Sequence, residues 1–134
     1  MPVDVYAPVG AFPKANEGAL LQRLAECLLK WTDASDVPMV RNNVGAYLHL
    51  LPSAFVTAGG VASTVVRIDV KVPEVVLSTI ERRRGFIADA TDIIGSLSTN
   101  DHETARTWVT ISNMVDAGFG IGGQALTNAE LDAL

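Results

Sequence analysis

The chain has 134 residues, 49% apolar and 6% aromatic, with a formal net charge of −5; that length suits one domain with a single core. The acidic balance argues against nucleic acid, whose binding rests on cationic contacts to phosphate, and no apolar run reaches the eighteen residues of a membrane span. There is no basic segment followed by an apolar stretch to mark a signal peptide, and the one cysteine, Cys27, allows neither an internal disulfide nor a cysteine-based metal site, so a reducing, cytoplasmic setting is expected.

Residues 2–8 read as a short β-branched strand closed by Pro8. Residues 15–31 place Leu20, Leu21, Leu24, Ala25, Leu28 and Leu29 on one helical face. Residues 44–51 read as a second strand, closed by Pro52. A third strand, 64–72, carries Val65, Val66, Ile68, Val70 and Val72. Ser78 and Glu81 have the spacing of a capping box. The helix they open has a stripe of Phe86, Ile87, Ala90, Ile93, Ile94 and Leu97. Residues 107–115 form the last strand, and the tail behind it is rich in glycine and small residues.

Displacing the sequence by 65 residues sets Val3-Asp4-Val5 against Ile68-Asp69-Val70, Pro8 against Pro73 and Arg41 against Arg106, without a gap. The two halves, 2–55 and 67–120, share one order of elements: strand, helix, strand. A unit of this length favours parallel strands and a right-handed crossover. The expectation is an α+β fold over residues 1–134, with a four-stranded mixed sheet and both helices on one face. The other face is then bare. Together with the positive mean hydropathy, that predicts a covering partner subunit and hence a homo-oligomer.

Pro2 follows the initiator methionine, a position from which Met1 is normally removed. The product is a secondary amine at the start of an apolar strand. Burial disfavours its charged form, and an amine that is partly neutral at pH 7 acts as a general base. The competing reading is a proline that is merely tolerated. If Met1 stays, Pro2 is an ordinary amide.

A chain of duplicated strand–helix–strand units that starts with Pro2-Val3-Asp4-Val5-Tyr6 resembles the tautomerase superfamily. It is most similar to the longer members, the class of macrophage migration inhibitory factor and malonate semialdehyde decarboxylase. The resemblance runs from Pro2 to about Gly123. Its further pieces are Leu48-His49-Leu50-Leu51-Pro52 with Ala58-Gly59-Gly60, then Val70-Lys71-Val72-Pro73, then Gly118-Phe119-Gly120-Ile121-Gly122-Gly123. It implies a homotrimer with sites near subunit boundaries, no cofactor, no metal and a small-molecule carboxylate substrate. Pro2 then moves a proton between carbon and oxygen of a keto–enol pair. Arg41, expected to open the second strand, and Lys71, at the end of the third, are the implied carboxylate binders. Trp108 and Thr110 on the last strand are the implied pocket wall and hydrogen-bond donor. The decarboxylase-like members carry a further arginine where Pro73 stands. That departure weighs against the alternative of a decarboxylase, hydratase or dehalogenase-like hydrolase. A third alternative is a catalytically inactive trimeric binding or structural protein.

Other signals carry less. Gly118, Gly120 and Gly123 match a dinucleotide fingerprint, but eleven residues leave no room for the strand and ribose-binding acid that must follow. Asp101-His102-Glu103 is a short acidic loop with no further histidine near it in the sequence to complete a metal site. His49 is expected as a packed structural residue, and Lys14 as a surface residue. Arg82-Arg83-Arg84 is expected on a solvated face or in intersubunit ion pairs.

Overall fold

The computed structural model describes residues 1–134. Four strands form the main sheet: β1 (Pro2–Pro8), β2 (Gly45–Leu51), β5 (Val66–Pro73) and β6 (Thr107–Met114), in the order β2-β1-β5-β6. β1 runs parallel to β2 and β5 parallel to β6, while β1 and β5 are antiparallel in the centre. Helices α1 (Glu17–Thr32) and α3 (Ile80–Leu97) provide the two crossovers. They pack against each other and against one face of the sheet in a single apolar core. The expected α+β architecture is present.

Alternation along the strands decides which face is which. Val3, Val5 and Ala7 of β1 and Val66, Ile68, Val70 and Val72 of β5 are buried under the helices. Leu20, Leu24 and Leu28 of α1 meet Phe86, Ala90 and Ile94 of α3 in the same cluster. Each fully buried aliphatic side chain contributes about 1.5–3 kcal/mol. The helices come close because Gly85 faces the Trp31 ring, where an added Cβ would lie 2.1 Å from the ring edge. Asp89 accepts the Trp31 indole N–H at 2.9 Å and pairs with Lys30 at 3.0 Å.

Several boundaries differ from expectation. Thr79, not Ser78, caps α3, its hydroxyl accepting from the Arg82 amide. Ile87 lies partly exposed beside the buried stripe. A 3₁₀ turn at Lys14–Asn16 precedes α1, and Lys14 is exposed there. The short helix α2 (Pro38–Arg41) fills the connection before β2. Each half also ends in a two-residue hairpin, β3 (Thr57–Ala58) with β4 (Val61–Ala62), and β7 (Gly120–Ile121) with β8 (Gln124–Ala125). Gly59 and Gly60 in the first turn, and Gly122 and Gly123 in the second, all have positive φ. That is the backbone such tight hairpins require, and glycine adopts it without a steric penalty. A last helix, α4 (Asn128–Asp132), follows.

The gapless offset of 65 holds at the central strands, where Asp4 pairs with Asp69. It slips at the outer ones: Pro2 pairs with Gly45, 43 residues on, and Val66 with Thr107, only 41 on. The first half carries two extra residues between its parallel strands, in the stretch that includes α2.

Candidate active site

The N-terminus begins the central strand β1 and ends against a cavity of about 310 Å³. Met1 is 5% exposed and belongs to the apolar core. Its carbonyl accepts the Gly45 amide at 3.0 Å and its α-amine donates to the Asn43 carbonyl. Partial burial lowers that amine from its ordinary 8.0 to about 6, because the ammonium form loses water without gaining a carboxylate partner. Met39, Val40 and Asn43 at α2 form one wall of the cavity, Pro73 at the end of β5 and Val76 after it another, and Phe119 and α4 a third.

Pro2 alternates with Val3 and so shares the helix-free face with Asp4 and Tyr6. One register step beyond the Val3–Val70 pair, Lys71 stands across from Pro2, exposed and on the same face. On its other side Lys71 pairs in register with Ser112 of β6. Lys71 is therefore the sequence-derived cation that the sheet brings to the Pro2 end.

The remaining candidates lie elsewhere. Arg41 does not open β2; it ends α2, four positions earlier. Proline at the first helical turn favours that helix, which takes Arg41 out of the strand. Its guanidinium grips Glu26 of α1 with two bonds, of 2.6 and 3.2 Å, and donates to the Ser35 carbonyl. Thr110 sits two positions from Lys71 in cross-strand register and donates to Asp69. Trp108, 42% exposed, is farther along β6. It lines a separate cleft of about 200 Å³ with Tyr6, Phe55 and Arg67.

Between these points the helix-free face carries a connected polar layer. His49 Nε2 lies 2.8 Å from Asp4 Oδ1, and its ring stacks on Tyr6 with centroids 4.4 Å apart. Arg67 covers the same Tyr6 ring at 4.6 Å and reaches Asp69 at 3.2 Å. His49 is therefore a half-exposed member of this layer and not a packed core residue. The arginine run is also differently used than expected. Arg82 donates to the Trp31 carbonyl at the end of α1 and pairs with Asp33, while Arg83 donates to the Leu77 carbonyl. A basic group at a helix C-terminus satisfies carbonyls that have no partner within the helix. His102 bonds Thr107 at 2.7 Å, and burial holds its pKa below the usual value. The three tail glycines lie on the β7–β8 hairpin or just before it. Cys27 is buried, which pushes its thiol up to about 11 and leaves it protonated at neutral pH.

No protein-family model and no curated protein matches the chain. Solved structures do. The chain is similar to a wild-type fused 4-OT, F6, solved as an asymmetric trimer, at 23% identity and TM-score 0.78, over 93% of this chain and 95% of that one. It is similar to N1, a member of the cis-3-chloroacrylic acid dehalogenase family, at 13% identity and TM-score 0.79, over 99% and 90%. It also matches Pt0534 inactivated by 2-oxo-3-pentynoate, at 21% identity and TM-score 0.77, over 96% and 98%. The fold is that of the tautomerase superfamily.

Proposed function

We propose that this protein is a tautomerase-superfamily enzyme that interconverts small 2-keto and enol acids without a cofactor, with the Pro2 amine as general base. The observation that carries the reading is the amino-terminal end of β1. It is partly buried and abuts a mostly apolar cavity, and burial there lowers the Met1 amine to about 6. Removal of Met1 vacates the inner end of that cavity and exposes the Pro2 nitrogen to it. The neutral amine takes the proton from the enol hydroxyl and delivers it to the adjacent carbon. One O–H bond breaks, one C–H bond forms, and the carbon–carbon double bond becomes the carbonyl. Lys71, beside Pro2 on the sheet, holds the carboxylate by a charge-assisted bond. Arg41, Trp108 and Thr110 serve this site only if a neighbouring copy carries them to it. The bare sheet face, with Tyr47 and Trp108 exposed and Phe55 exposed in the turn after β2, suits burial in a homotrimer, and the fused 4-OT that the chain resembles is a trimer.

The test is ketonisation of the enol of phenylpyruvate by protein whose first residue is Pro2. Pro2→Ala lowers kcat/KM by about 10²–10⁴-fold, the usual worth of a positioned base. Lys71→Ala raises KM by about tenfold with little change in kcat. Activity falls as pH drops below the pKa of the amine, because the protonated form accepts nothing. A rate that falls with rising pH instead points to an acid role for Pro2. One observation favours a second reading: with Met1 in place its side chain is sealed in the core and Pro2 is an amide. A chain that keeps Met1 is a binding or structural trimer.

A further inference from the structure

The cavity at the N-terminus has an outer wall that proton transfer leaves unused. Leu131 and Asp132 of α4 line it there. The helix is fastened at its start: the Thr127 hydroxyl accepts from the Glu130 amide at 3.1 Å, and Asp116 accepts from the Asn128 amide at 2.7 Å. Facing it are the apolar side chains of Val40, Val76 and Phe119. The charged side chains on the lining are Asp33 and Asp132, and no lysine or arginine is among them. Asp33 is bonded to Arg82, whereas Asp132 is exposed and has no ion-pair partner.

We propose that α4 is the specificity wall of the Pro2 site, and that Asp132 restricts it to 2-keto monoacids with an apolar arm, against those whose arm ends in a second carboxylate. The inference rests on the tautomerase reading, which puts the reacting carboxylate at Lys71, outside the cavity lining, and sends the arm through the place vacated by Met1 into the cavity. An apolar arm displaces water from Val40, Val76 and Phe119. A carboxylate on the same arm loses water beside a like charge, with no lysine or arginine on the cavity lining to offset it.

The experiment compares kcat/KM for the enols of phenylpyruvate and 4-carboxyphenylpyruvate, which share the reacting atoms and differ only at the end of the arm. Protein beginning at Pro2 is used, with Pro2→Ala as the control. The expected preference for the phenyl substrate is about tenfold, and Asp132→Asn reduces it by raising kcat/KM for the carboxylated substrate alone. Asp132→Lys reverses the preference. Equal Pro2-dependent use of both enols by the parent protein overturns the inference and leaves the tautomerase reading standing. So does an Asp132→Asn variant that shifts both substrates alike. Absence of Pro2-dependent turnover of either enol removes the tautomerase reading, and the inference with it.

Discussion

On one face of the sheet Val3, Val5, Ile68 and Val70 are sealed by α1 and α3; on the other, Asp4, Tyr6, His49, Arg67 and Asp69 bond to one another in the open. The same strands make both, residue by alternate residue. The covered face stabilises the fold through apolar area removed from water. The open face contributes little while solvent screens its pairs. Its side chains become consequential when another copy covers them, because desolvated polar groups must then be satisfied by one another. Stability is thus written on one side of the sheet, and the assembly proposed above would use the other.

The largest effect that breaks this contrast is on the covered side. Phe86→Ala empties the centre of the core and costs about 3–5 kcal/mol in denaturant unfolding. Trp108→Ala on the open side leaves the unfolding of a dissociated protomer nearly unchanged and lowers the assembled fraction in sedimentation. If the two substitutions destabilise the protomer equally, the contrast is false. A smaller loss tests helix packing: Gly85→Ala drives a methyl into the Trp31 ring and costs about 1–3 kcal/mol. The smallest effect is at the N-terminus of protein that retains Met1. Its amine titrates near 6 when folded and near 8.0 when free of the fold, so between those values the unfolded chain binds more protons. Stability therefore rises with pH across that window and is lost as pH falls through it. Thermal unfolding at pH 6 and pH 8 reads the difference; acetylating the amine removes its share and leaves that of His102, whose pKa burial also lowers.

The main elements were legible because alternation in β1 and β5 and the helical stripes of α1 and α3 are strong periodic signals. α2 and α4 were not, since helices of four and five residues carry too little pattern and owe their shape to packing and caps. The relation between the halves was legible only in part. Matching Asp4 to Asp69 gives an offset of 65, but the Gly59-Gly60 and Gly122-Gly123 turns lie 63 apart. Those paired turns were the signal that would have corrected the outer strands. Lys71 was singled out by the resemblance alone; its place across from Pro2 depends on the antiparallel register of β1 and β5, which the sequence does not spell out. Arg41 was misplaced because α2, started by Pro38, holds it four positions before β2. Asp132 was missed because its place on the cavity depends on how the tail folds back, across a separation of 131 residues from Met1.

The most direct measurement is the intact mass of the native protein after incubation with 2-oxo-3-pentynoate, the reagent that inactivates Pt0534, with the modified residue located by fragmentation. The account predicts a chain lacking Met1 and carrying one adduct on the Pro2 nitrogen. A full-length chain that stays unmodified would contradict it.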